Sequence, residues 1–192
     1  MLWGAHQGGL ELREAGGEIR LSGRFPYATE TTLRAAQRGQ PELREVFAPR
    51  AFAVQGETRA LYLLAGHDFA KPVASTSNGT LQIEDSDTAL QFEARISADL
   101  AEVSHVRDIV AQVRAGLASG ISPGFTVPEG GESVTRQAGA ILRTVMRAAL
   151  QEISIVTRPA YPATQIEARS WHPLRDDPDR RGLNRVLNRW RP

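Results

Sequence analysis

Cysteine is absent from the 192 residues. Disulfides, thiolate nucleophiles and cysteine-ligated zinc are therefore excluded. Lysine is almost absent too: Lys71 is the one lysine, and every other basic side chain apart from histidine is arginine. Aromatic residues make up 6% of the chain, and no stretch reads as a strand with a basic stripe, so a nucleic-acid-binding barrel finds little support. No run approaches the roughly 20 apolar residues that a membrane helix needs. Residues 1–12 are glycine-rich and carry Glu11, without the basic-then-apolar order of a signal peptide. No two or three side chains stand at metal-ligand spacing, and no phosphate-cradling G-x-x-x-x-G-K-[ST] loop occurs. No metal or cofactor is expected.

The composition that remains, 41% hydrophobic and 23% charged with a net charge of +1, is that of a globular chain with a real core. Residues 1–17 are glycine-rich and read as a frayed arm. Residues 18–171 read as the folded domain. Residues 172–192, with six Arg and three Asp, read as a basic tail in which 182–190 has the pattern of a short amphipathic helix.

Hydrophobic periodicity gives the elements between. Alternation at 18–28 (Ile19, Leu21, Phe25) predicts a first strand, and 29–41 is polar enough for a loop or short helix. Short strands follow at 45–52 and at 60–65 (ALYLLA), the latter stopped by Gly66. A turn at 75–79 leads to a hairpin of 80–83 and 89–96. The period then changes: Val103, Val106, Ile109, Val110, Val113 and Leu117 predict one helix. Strands at 121–127, 141–148 and 152–157 complete the pattern, with an edge strand possible at 164–169. About seven to eight strands and one good helix suggest a β-barrel or α+β domain.

Three segments carry residues suited to chemistry. His67 leaves an apolar strand beside Gly66, and imidazole is near neutral at working pH, as a general base requires. A strand-capping histidine is the simpler reading of that spacing. Ser122 sits among small residues in Gly120-Ile121-Ser122-Pro123-Gly124, which formally matches G-x-S-x-G. That elbow joins a strand to a following helix, whereas here a helix precedes a strand, so the α/β-hydrolase reading is rejected. A helix-ending glycine followed by a bulged strand would explain the same residues. Glu152 opens a strand and is able to orient an imidazole through its second N–H, and Arg158 is a donor for an oxyanion. Each is equally an ordinary ion at a strand end. Ser119 and Ser154 are lesser candidates for nucleophile. Spacing alone stops at a β-rich domain with a suspected Ser/His pair.

Taken in order, the segments resemble the prohead maturation proteases of tailed phages, a serine protease family related in fold to herpesvirus assemblin. The opening strand IRLSGRFPYA is similar to the family's start. Glu45 to Phe52 (EVFAPRAF) resembles its "apGAF" element, with Arg50 where Gly is usual. Gly66-His67-Asp68 matches its histidine motif, 78–94 its hairpin with an acidic turn, 106–125 its helix ending in a serine motif written S-F-G-F, and 152–161 its E-[IV]-S-[IL]-V-x-x-P-A-Y element. The likeness runs from about Ile19 to Arg169. Two departures stand out. Pro123 replaces the aromatic after the serine and removes a backbone N–H. Lys71 to Ala74 lacks the usual P-[LI]-G-[RK] ending.

The resemblance implies an α+β, mostly β fold, with an assemblin-like closed or partly closed barrel of about seven strands and one or more helices packed around it. It implies Ser122 as nucleophile, His67 as its base, Glu152 as third member and Arg158 as oxyanion support. It implies a serine endopeptidase that trims the scaffolding segment of the major capsid protein, or a separate scaffold protein, and itself, inside the prohead in the host bacterial cytoplasm. A homodimer or higher oligomer is possible by the same analogy, and neither nucleic acid nor membrane is an expected partner. The alternative is an inactive homologue acting as an internal scaffold or assembly partner of the capsid.

Overall fold

The computed structural model of the chain describes residues 10–15, 18–52, 59–137 and 139–157. Arg158, the possible edge strand at 164–169 and the tail at 172–192 lie outside the described residues. Strand β2 (Glu18–Pro26) shows how sequence becomes structure here. Its burial alternates residue by residue, with Ile19, Leu21 and Phe25 turned inward, as the two-residue period of a half-buried strand demands. It pairs antiparallel with β1 (Leu10–Ala15) on one side and β8 (Ala89–Ile96) on the other, and β7 (Leu81–Asp85) completes a sheet of order β1-β2-β8-β7. Leu10–Ala15, within the segment expected to fray, is thus held by a six-residue register along β2.

A second sheet has the order β10-β11-β4-β3. It is built from β10 (Glu132–Gln137), β11 (Ala140–Val145), β4 (Glu42–Phe47) and β3 (Thr31–Arg34), with β11 and β4 parallel. Buried Arg143 of β11 binds buried Glu45 of β4 and also reaches Glu132, Nε to Oε2 2.7 Å. A buried guanidinium needs such partners, because an unpaired charge away from water is costly. The third sheet, order β6-β5-β12-β9, comprises β6 (Pro72–Ser75), β5 (Tyr62–Ala65), β12 (Ala149–Val156) and β9 (Gly120–Thr126).

Two short helices stand between β8 and β9. In α1 (Ala98–Ala101), Ser97 caps the start by accepting from the Leu100 N–H at 3.3 Å. Helix α2 (Ser104–Arg114) buries Val106, Ile109 and Val110. The predicted helix ran from 103 to 117, but Val103 and Leu117 are exposed. Gly116 takes a left-handed φ of 70°, which ends the helix where a side chain would be strained.

The expected barrel is corrected by this arrangement. The described residues form three separate four-stranded sheets, and none closes on itself. Closure needs every strand to hydrogen-bond on both sides. In the third sheet both edge strands carry a proline, Pro72 in β6 and Pro123 in β9, and proline has no N–H to extend a ladder. The expected strand number was also too low. Strands β1, β3, β6 and β10 are short, polar or nearly all exposed.

The sheets share one apolar core. An aromatic group lies within it: Phe47 meets Phe25, Phe52 and Phe125, each with ring centroids 5.2 Å away. Buried Tyr27 joins at its edge and donates its hydroxyl to Asp85 Oδ1 at 2.5 Å. Burial first, and then the Asp85 carboxylate, push the Tyr27 phenol well above its ordinary range, because the phenolate would lose water and face a negative neighbour.

Candidate active site

The third sheet has two chemically different faces. On β9, Ile121 is buried in the apolar core and Phe125 packs against it, while Ser122 and Gly124 point to the opposite face. On β12, Leu150, Ile153 and Ile155 belong to the core, and Glu152 and Ser154 share the face of Ser122. Strict alternation from Leu150 would have put Glu152 in the core. The register instead slips by one residue between Leu150 and Glu152, so that Leu150 faces Phe125 and Glu152 faces Gly124. This bulge at Gln151 turns a carboxylate out of the oily side and into the polar one.

His67 reaches the same place from the end of β5. Gly66 and His67 have φ of 66° and 64°, and the Asp68 N–H returns to the Ala65 carbonyl at 3.4 Å. Two successive left-handed residues are the signature of a type I′ turn. Glycine adopts that conformation freely, whereas histidine does so at a cost of roughly 1–2 kcal/mol. The turn is tied to β12 twice. The Gly66 N–H bonds the Ile155 carbonyl at 3.0 Å, and the His67 N–H bonds Ser154 Oγ at 2.9 Å. Beyond the turn, the Ala70 N–H and the Lys71 ammonium hold the Asp68 carboxyl below the usual carboxylate range.

These constraints bring His67 Nδ1 to 2.7 Å from Glu152 Oε1. Glu152 is 4% exposed and its other oxygen accepts from Ser154 Oγ at 2.6 Å. With the carboxylate on Nδ1, the imidazole Nε2 is the nitrogen left to take a proton. Ser122 is register partner to Ser154, which places it beside this pair on the adjoining strand. Among the described residues the Ser122 hydroxyl has no hydrogen-bond partner, so it is not joined to His67 in this state. It is not sealed either: Arg34 Nε is the one buried, unpartnered side-chain polar atom among them. A cleft of about 440 Å³ is lined by Gly66 and His67 of the turn and by His105, Asp108 and Ile109 of α2. Ser122 is not among its lining residues.

Of the residues singled out in the sequence, His67 and Glu152 are therefore in contact, Ser122 is one strand away, and Arg158 lies outside the described residues. Ser119 precedes β9 and has no tie to His67 among the described residues. The sequence reading named Ser154 only as a lesser nucleophile, and named Gly124 only within the G-x-S-x-G match. Ser154 is a link between His67 and Glu152, for which the two-residue spacing from Glu152 on a strand was the available signal. Gly124 is the gap into which the Glu152 carboxylate fits. A Cβ there would lie 2.0 Å from Oε1, closer than any real contact. Among the described residues no group of three or more His, Asp or Glu stands ready for a metal ion. No helix among them is long and apolar enough to cross a membrane.

A histidine braced by a buried carboxylate, with a serine on the neighbouring strand, supplies the residue types that a serine hydrolase uses. The comparison with protein families gives the particular group: the caudovirus prohead serine protease family matches residues 26–176. The chain belongs to that family, whose role is capsid maturation. No match was found among curated proteins or solved structures. Within this frame Arg50 has an explanation. It stands where the family usually has glycine, and its φ is 55°, a conformation for which glycine is the natural residue. Its guanidinium donates to Asp87 at 2.5 Å.

Proposed function

We propose that the chain is an active serine endopeptidase with Ser122 as nucleophile, His67 as general base and Glu152 as the group that orients the imidazole. The observation that carries this reading is the 2.7 Å contact between His67 Nδ1 and the buried Glu152 carboxylate. Such a contact fixes the tautomer with Nε2 unprotonated and stabilises the imidazolium once formed. In the first step Nε2 takes the Ser122 proton as Oγ attacks the scissile carbonyl. The imidazolium then protonates the leaving amine, giving an acyl-serine. Water repeats the sequence, with His67 as base again, and releases the acid. Pro123 supplies no N–H, so oxyanion donors come from elsewhere, and Arg158 is proposed as one.

The proposed substrate is the scaffolding segment of the major capsid protein, or a separate scaffold protein, together with the enzyme's own chain, inside the prohead. Family membership supports this. Its test is co-expression with the cognate major capsid protein and intact-mass measurement of both chains, with Ser122→Ala and Ser119→Ala in parallel. Shortening of the capsid protein that disappears only with Ser122→Ala is the expected result. Full-length masses in assembled shells made with the unmodified enzyme would instead favour an inactive assembly partner.

A further inference from the structure

We infer that Ser154 is a positioning residue for the base, holding His67 at both ends, an assignment that rests on the His67–Glu152–Ser122 reading above. Its hydroxyl accepts from the His67 backbone N–H at 2.9 Å and donates to Glu152 Oε2 at 2.6 Å. The other carboxylate oxygen then meets His67 Nδ1 at 2.7 Å. The three bonds close a ring that leaves the histidine backbone and returns to its own imidazole. Ser154 is 0% exposed, so no substrate reaches it. A hydroxyl has a single proton, and this one is given to Glu152, so none is left for His67 to take. Ser154 is thereby excluded as the nucleophile and acquires a different task.

The ring matters for two reasons. His67 is held in a left-handed conformation that a non-glycine residue enters at a cost, and the bond to Ser154 helps keep it there. Glu152 also has two oxygens and many rotamers. The Ser154 donor on Oε2 leaves Oε1 as the oxygen that faces the imidazole. A methyl group at position 154 would remove the acceptor from the His67 N–H and the donor from Oε2 of the buried Glu152 carboxylate. Loss of the outer partners that orient metal-bound histidines costs about 10–100-fold in affinity or activity, and a loss of that order is expected for an imidazole oriented in the same way.

The experiment uses the full-length chain and a fluorophosphonate probe, which reports an activated serine without knowledge of the natural substrate. Its maximal labelling rate and half-saturating concentration are measured for Ser154→Ala, Ser154→Thr and Ser154→Val. Threonine and valine have nearly the same shape and differ in the hydroxyl. The downfield proton resonance of His67 Nδ1–H is recorded for each. The expected result is a fall of about 10–100-fold in maximal rate for Ser154→Ala and Ser154→Val, with the half-saturating concentration unchanged and the resonance lost. Ser154→Thr retains most of both. Should Ser154→Ala fail to fold, the threonine–valine pair decides. Equal labelling and an unmoved resonance in the threonine and valine variants would overturn the assignment of Ser154. Ser122→Ala and Glu152→Ala run alongside: if these label like the unmodified chain, the catalytic reading itself has failed, whatever Ser154 does.

Discussion

Gly124 and Glu152 face each other across β9 and β12 so closely that the carboxylate occupies the space a side chain at 124 would need. A Cβ on Gly124 would lie 2.0 Å from Oε1 and 2.7 Å from the carboxyl carbon. The φ of Gly124 is not in the left-handed range, so the glycine is required for room and not for backbone freedom. Gly124→Ala is expected to push Glu152 off His67 while leaving the strand paired. Serine-directed labelling should fall on the order of 100-fold or more, with circular dichroism unchanged. Labelling at the normal rate would show that the carboxylate has another place to stand.

Glu152→Gln keeps the shape of the side chain and removes its charge. An amide can present its NH₂ to Nδ1 and hold the imidazole in the wrong tautomer. The expected loss in maximal rate is roughly 10⁴-fold, as for the equivalent change in a Ser-His-Asp enzyme, with substrate or probe affinity little altered. Steady-state kinetics that separate rate from affinity check this, and a change confined to affinity would count against an orienting role.

The buried Tyr27–Asp85 bond gives a pH dependence. The Tyr27 phenol is raised from an ordinary value of 10.0, so above that pH the unfolded chain loses a proton that the folded chain keeps. The unfolded state then binds fewer protons, and stability falls as pH rises beyond about 10, by at most about 1.4 kcal/mol per pH unit for one group. Urea unfolding between pH 8 and pH 11 should show this slope, and Tyr27→Phe should reduce it. An identical slope in the variant would assign the loss to other groups.

Phe47 sits at the centre of the aromatic group, against Phe25, Phe52 and Phe125. Phe47→Ala is expected to cost about 3–5 kcal/mol, from lost burial and the cavity left behind. Denaturant unfolding measures this. A cost under about 1 kcal/mol would mean that the neighbouring rings collapse into the gap.

How far the sequence could be read follows from which side chains alternate. Strands β2 and β8, each with one wet and one buried face, were legible from Ile19, Leu21 and Phe25 and from Leu90, Phe92, Ala94 and Ile96. Strand β10 was not, because Ser133 to Gln137 are all exposed and leave no apolar period to detect. The sequence of β3, Thr-Thr-Leu-Arg, is equally plain. In the site, His67 and Glu152 were nominated from their positions at strand ends, 85 residues apart. The bulge at Gln151 that turns Glu152 toward His67 depends on the partner strand β9, and no local pattern reveals it. Sheet closure was misjudged for a related reason: a proline in β6 or β9 announces an edge only once the neighbours of that strand are known.

The place of β12 in the third sheet has a bearing on synthesis. His67 follows β5 and Ser122 lies in β9, and these two strands are not neighbours, since β12 stands between them. A growing chain therefore contains its proposed base and nucleophile long before the strand that brings them into one sheet. Chains emerge from the ribosome N-terminal end first, and pairings this distant in sequence form slowly. Insertion of β12 supplies Glu152 and Ser154 in the same event. On the proposed assignment, a nascent or truncated chain lacking β12 has neither Glu152 nor Ser154 beside His67, and its base and nucleophile are not yet in one sheet.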